Sequence, residues 1–187
     1  MDALLASARL VALPLRVKFR GVLEREVMLF RGPNGWTEWS PFTEYSDEEA
    51  ANWLAAAIEF GWGELPEPTV SRVRVNATLP AVAAEKVAEV LTRFGEFATV
   101  KIKVAESGQT IAEDIARVSA AHEFAPNAAI RLDANGGFEV GEALALAKAV
   151  RDLGMELDYF EQPVRTIAEL AEARILLNRI GVRVAAD

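Results

Sequence analysis

The strongest constraint on this chain is a rhythm that starts after residue 70. Strand-like segments near 72–78, 98–104, 128–135, 157–162 and 182–187 alternate with helical patterns near 80–94, 110–123, 139–153 and 166–178. Strands that recur every ~25 to 30 residues with a helix between them are βα units, so the sheet they form should be parallel. Thr110 with Glu113 and Thr166 with Glu169 read as capping boxes, and Gly95 and Gly154 sit at helix ends. A closed (β/α)₈ barrel takes about 250 residues, so five units at the end of a 187-residue chain read as part of a barrel. An open doubly wound sheet is the alternative. Its dinucleotide-binding form is disfavoured, because no glycine-rich phosphate loop follows the first strand.

The preceding segment reads differently. Leu10 to Phe19, Glu26 to Arg31 and Trp36 to Trp39 are strand-like, and Gly32-Pro33-Asn34-Gly35 supplies a turn between the last two. A helix is expected from Asp47 to Phe60, opened by Ser46 with Glu49 as a capping box and closed at Gly61. Its apolar stripe is Trp53, Leu54, Ala57 and Ile58, and the four tryptophans, Trp36, Trp39, Trp53 and Trp62, are expected in the core of this part, with one or two at the substrate entrance as the alternative. Glu64-Leu65-Pro66-Glu67-Pro68 reads as a linker. The expected organisation is an antiparallel sheet plus helix over 1–68, then βα units over 69–187.

Composition removes several classes of function. A net charge of -8 leaves no basic patch for a phosphate backbone, so nucleic acid is not an expected partner. The chain has no cysteine, which excludes thiol catalysis and thiolate metal sites. Asp2 and Arg9 interrupt the mildly apolar start, and no run approaches membrane-spanning length, so a cytoplasmic protein without a membrane partner is expected. His122, the only histidine, reads as a surface or capping residue.

Two features carry chemistry. In Val100-Lys101-Ile102-Lys103-Val104 a strand turns both ammonium groups to one face. On an edge strand such lysines discourage aggregation. Facing a pocket, repulsion and desolvation would lower at least one lysine pKa toward the range of a general base. Asp133, Glu161 and Asp187 each close a different strand, about one βα unit apart. Reactive groups of parallel α/β folds gather at such carboxyl ends. Each acid alone reads as a loop or cap residue. Together, three carboxylates in phase would repel unless a hard divalent cation such as Mg²⁺ joined them.

Lys101-x-Lys103, Asp133-x-Asn135, Glu161-Gln162-Pro163 and Ala185-Ala186-Asp187 resemble the enolase superfamily, in the branch of o-succinylbenzoate synthases, muconate cycloisomerases and dipeptide epimerases. Phe19-Arg20-Gly21, Ser40-Pro41-Phe42 and Val75-Asn76-Ala77-Thr78 look most like the actinobacterial o-succinylbenzoate synthases. The resemblance implies an α+β capping domain followed by an incomplete TIM-like (β/α) barrel. It implies Asp133, Glu161 and Asp187 as Mg²⁺ ligands, Lys103 as general base, Lys101 as its electrostatic helper and Asn135 as a hydrogen-bonding support of the metal site. Arg20 is a weaker candidate for substrate contact. The family places a further lysine on the sixth barrel strand, which this chain does not reach.

The implied activity is Mg²⁺-dependent syn dehydration of a small-molecule carboxylate, 2-succinyl-6-hydroxy-2,4-cyclohexadiene-1-carboxylate, in menaquinone biosynthesis. The alternatives are N-acylamino acid racemase, dipeptide epimerase or muconate cycloisomerase activity on the same scaffold, or a non-catalytic fragment. The residues are silent on oligomeric state.

Overall fold

The structure, a computed structural model, describes residues 2–19 and 21–187. It divides into two compact units, Met1–Arg72 and Val73–Asp187.

In the first unit a short helix, α1 (Asp2–Ser7), precedes an antiparallel sheet of β1 (Arg9–Phe19), β2 (Val22–Gly32) and β3 (Gly35–Trp39), in the order β1-β2-β3. Gly35, at φ 124°, closes the β2–β3 turn in a backbone region that favours glycine. The Asn34 side chain ties this turn to the end of α2 (Asp47–Trp62), donating to the carbonyls of Phe60 at 3.0 Å and Gly63 at 2.7 Å. Helix α2 starts where the Ser46 hydroxyl accepts from the Glu49 amide at 3.2 Å.

Two expectations fail in this unit. Helix α2 runs through Gly61 to Trp62, because Gly61 lies against Thr37, where a Cβ would stand 3.1 Å from the Thr37 methyl carbon. Gly61 is therefore there for close approach, and the amide of Gly63 closes the helix by donating to Glu59 at 2.7 Å. The tryptophans are also not a shared core. Trp36 is 54% and Trp53 53% exposed, while the buried face of α2 is Ala57 and Gly61. The close contact of Gly61 with Thr37 is made by small residues, and the indoles of Trp36 and Trp53 lie outside it. Trp39 and Trp62 are half-buried, the former donating its ring N–H to the Ala50 carbonyl at 2.9 Å.

The second unit holds five parallel strands in sequential order: β4 (Ala77–Leu79), β5 (Thr99–Lys103), β6 (Ala129–Asp133), β7 (Leu157–Glu161) and β8 (Val184–Ala185). The connecting helices are α3 (Val87–Leu91), α4 (Ile111–Phe124), α5 (Val140–Asp152) and α6 (Ile167–Arg179), each packed on the next. Sequential strand order with helices in one continuous layer is the winding of a barrel. A doubly wound sheet would reverse its strand order and split the helices between two faces. The capping boxes of Thr110–Glu113 and Thr166–Glu169 form as expected, and a third forms between Glu139 and Glu142.

Alternation then sorts the side chains. Val100, Ile102, Ile130, Leu132 and Phe160 are at most 3% exposed against the helices. Lys101, Lys103, Arg131, Asp133, Tyr159 and Glu161 occupy the other face, with Lys103 opposite Asp133 and Asp133 opposite Glu161. This phase survives into β7 only because of a register shift. Ile130 pairs with Leu157 but Arg131 with Tyr159, so Asp158 is an extra residue. The shift lets Leu157 and Phe160 both face the helices while Glu161 stays level with Asp133.

The ends of the pattern were less regular than expected. The first strand covers Ala77–Leu79 and not 72–78, since its neighbour β5 starts pairing at Ala77↔Val100 and offers nothing opposite the earlier residues. Val73 and Val75 are accordingly 78% and 79% exposed. The expected helix over 80–94 breaks into a single 3₁₀ turn, Ala84–Lys86, and the five residues of α3. Among the described residues no helix is long and apolar enough to cross a membrane.

Candidate active site

Six of the residues singled out in the sequence form one connected cluster at the carboxyl ends of β5, β6 and β7 and just beyond β8. The Lys101 ammonium lies 2.8 Å from Asp133 Oδ2 and 2.9 Å from Glu161 Oε1. The Lys103 ammonium lies 2.6 Å from Asp133 Oδ2 and also donates to Asn135 Oδ1. Asn135 Nδ2 in turn donates to Asp187 Oδ2 at 3.3 Å. Lys101 and Lys103 keep 22% and 12% of their side chains exposed, Glu161 13% and Asp133 none, so the cluster is sheltered yet open on one side. The strand lysines therefore face a shared polar site, and the edge-strand reading is excluded because β5 pairs on both sides. Arg20 lies outside the described residues.

The electrostatics at Lys101 run opposite to repulsion between the ammonium groups. Burial alone would lower the Lys101 pKa, but hydrogen bonds to Asp133 and Glu161 outweigh it and raise the value. Burial would likewise raise Asp133, and the two ammonium groups overcome it to hold the carboxyl below the ordinary aspartate value. Each charge is stabilised by its opposite.

Strain marks the same strand ends. Ala105, Asn135 and Gln162 are the non-glycine residues at positive φ among the described residues, at 59°, 46° and 35°. Each follows Lys103, Asp133 or Glu161 by one or two positions. Non-glycine residues in this region cost about 1–3 kcal/mol each, so the surrounding bonds must hold them. Asp133 Oδ1 accepts from the Asn135 amide at 3.1 Å, and the Gly136 amide donates to the Gln162 carbonyl at 2.7 Å. At Gly137 a Cβ would stand 2.8 Å from the Ala105 Cβ, so only glycine lets the loops after β5 and β6 approach this closely.

The sequence reading assigned no role to several residues that hold this arrangement. The Gln162 side chain accepts from the Asp187 amide at 3.0 Å and donates to the Val164 carbonyl at 2.8 Å. Asp114 and Arg117, both 1% exposed on α4, bond the backbone that follows Lys103. A charged pair at helical spacing on an otherwise buried helix face was the available signal, since Val118 and Ala121 beside it are apolar.

The donor set is oxygen only: three carboxylates from consecutive strand ends, which suits a hard cation such as Mg²⁺. Among the described residues no group of three His, Cys, Asp or Glu side chains stands arranged to hold a metal ion. The ammonium groups of Lys101 and Lys103 take up the Asp133 and Glu161 oxygens instead, and Asp187 turns to Asn135.

Family profiles described as Enolase N-terminal domain-like and Enolase C-terminal domain-like match residues 10–61 and 82–187. The chain is 50% identical over its 187 residues to o-succinylbenzoate synthase of Mycobacterium tuberculosis strain H37Rv, and spans 56% of that relative's length. Its fold is similar to a mandelate racemase/muconate lactonizing protein of Herpetosiphon aurantiacus, with TM-score 0.71, 22% identity, and coverage of 97% of this chain and 66% of the other. It is also similar to o-succinylbenzoate synthase from Thermosynechococcus elongatus BP-1, solved with Mg in its active site, at TM-score 0.56, 20% identity, and coverage of 96% and 67%. With a capping-type α+β unit, a sequential parallel sheet of the TIM-barrel kind and both profiles in order, the chain belongs to the enolase superfamily.

Proposed function

We propose that this chain carries the base and metal-ligand half of an o-succinylbenzoate synthase, a cytoplasmic hydro-lyase of menaquinone biosynthesis. The observation that carries the reading is the cluster in which Lys103 and Lys101 share Asp133 at the carboxyl ends of adjacent strands. Relatives 50% and 48% identical over the whole chain bear the name o-succinylbenzoate synthase, which favours that chemistry within the superfamily.

In this reading Asp133, Glu161 and Asp187 would hold Mg²⁺, and Asn135 would orient them through its side-chain amide. When bound, Mg²⁺ supplies positive charge against the negative charge that develops on the substrate carboxylate. Neutral Lys103 Nζ takes the proton from the carbon α to that carboxylate. The resulting ammonium then returns a proton to the departing hydroxyl on the same face, so that the C–O bond breaks, the ring double bond forms and water leaves. Lys101 stays protonated, favoured by its two carboxylate neighbours, and supplies fixed positive charge beside the reacting carbon.

The test is Mg²⁺-dependent formation of 2-succinylbenzoate from 2-succinyl-6-hydroxy-2,4-cyclohexadiene-1-carboxylate by the full-length protein carrying this chain. Product formation that stops with chelator and returns with Mg²⁺ is expected. Recovery of α-deuterated, inverted amino-acid derivatives from D₂O with no dehydration would instead assign racemase or epimerase chemistry.

A further inference from the structure

Arg117 is among the largest fully buried side chains of the molecule, and its partner Asp114 is equally inaccessible. Burying two charges is expensive unless every donor and acceptor is met, and apolar residues of similar size usually serve a helix–sheet interface at least as well. Here every polar atom is met. Arg117 donates from Nη1 to Asp114 Oδ1 at 2.6 Å and to the Lys103 carbonyl at 3.0 Å, from Nε to the Val82 carbonyl at 2.5 Å, and from Nη2 to Gln109 Oε1. Asp114 Oδ2 accepts from the Ala105 amide at 3.0 Å.

The pair thus grips the backbone on both sides of Val104. The Val104 amide donates to the Asp133 carbonyl at 3.0 Å, after which the chain leaves the sheet through Ala105 at φ 59°. Where sheet bonding stops, Asp114 and Arg117 take over the backbone groups.

Resting on the proposed function, we infer that Asp114 and Arg117 are positioning residues that fix the backbone of Lys103 and so aim its side-chain nitrogen at the α-proton. A base misplaced by about 1 Å can lose ~10²-fold in rate, so bonds to the backbone at this strand end bear on where the side chain points.

The double substitution Asp114→Leu/Arg117→Met, made in the full-length protein, removes both charges without stranding either one. Two readouts are taken: amide hydrogen exchange at Ala105, and turnover of α-deuterated against α-protonated substrate. Exchange at Ala105 is expected to speed up by at least about tenfold, an opening confined to the strand end. Turnover kcat should fall about 10–100-fold with KM changed far less, and the deuterium isotope effect on kcat should increase, because proton transfer becomes slower relative to other steps. A loss of folded protein alone would lower kcat without moving the isotope effect.

Unaltered Ala105 protection, or faster exchange with wild-type kcat and isotope effect, overturns the inference. If the double variant does not fold, Arg117→Lys keeps the buried charge but loses the fork, and the same two readouts decide. A wild-type protein that forms no 2-succinylbenzoate with Mg²⁺ overturns the proposed function and the positioning role with it. A wild type that does, beside a folded variant with unchanged isotope effect, overturns only the positioning role.

Discussion

Asp114 and Asp133 are both buried aspartates bonded to cations, and their pKa values move in opposite directions. At Asp114 burial pushes the value up, and the Ala105 amide and the single guanidinium of Arg117 do not offset it. At Asp133 burial also pushes up, but two ammonium groups outweigh it and the value falls. Burial is comparable, at 1% and 0% exposure, so the second cation at Asp133 and the neighbouring Glu113 carboxylate at Asp114 separate the two. One pair is closed and satisfied mainly by backbone. The other is partly open and satisfied by side chains, which other charges can replace. The first arrangement suits form and the second suits chemistry.

The sharpest break of that comparison is Lys103→Ala in the full-length protein. Turnover should drop by about 10²–10⁴-fold, the usual share of a general base, while thermal unfolding stays close to wild type. Dehydration at near wild-type rate would remove Lys103 from its role. Next in size is Arg117→Ala, which strands the Asp114 charge and should cost about 3–5 kcal/mol of stability in urea unfolding. A loss below about 1 kcal/mol, typical of a surface pair, would mean that the α4 pair is not closed to water.

The third test concerns pH. The folded pKa of Asp114 lies above 3.8, so its contribution to stability is complete below that value and is lost as pH rises through the folded pKa. The stability of wild type relative to Asp114→Asn should therefore decline with pH from 3.8 upward and then level off, as read from unfolding curves at successive pH values. A difference that grows with pH contradicts the direction.

The smallest effect comes from an exposed carboxylate with the opposite sign. Hydrogen bonds from the Thr166 amide and hydroxyl lower the pKa of Glu169 below 4.5, so its contribution is present above 4.5 and is lost as pH falls through the folded value. Thr166→Ala should cost about 1 kcal/mol at neutral pH, the usual worth of an N-cap. It should also flatten the acid limb of the unfolding profile. An acid limb as steep as wild type would show that the capping box does not carry that dependence.

Much of the second unit was legible because its signals are local. The capping boxes at Thr110 and Thr166 and the alternation Val100-Lys101-Ile102-Lys103 depend on residues a few positions apart. The failures fell where a partner elsewhere decides. Val73 and Val75 alternate like a strand, yet no strand runs beside them among the described residues. Trp36 and Trp53 look like core, yet the buried face of the helix is Ala57 and Gly61, and both indoles stay more than half exposed. The charged pair Asp114/Arg117 left a trace in the helical spacing, but its partners and those of Gln162 did not, because all three bond backbone groups, which the sequence does not distinguish.

The sequence by itself determined the alternation of strands and helices and which strands end in an acid or carry a lysine, because periods of two and 3.6 residues are properties of a short stretch of chain. Only the tertiary structure decided that Asp133 receives both ammonium groups, that an extra residue at Asp158 keeps Glu161 level with it, and that a buried pair on α4 holds the end of β5. Register, burial and charge pairing arise between segments about 10 to 60 residues apart, and free energies of a few kcal/mol summed over those contacts select one arrangement among many.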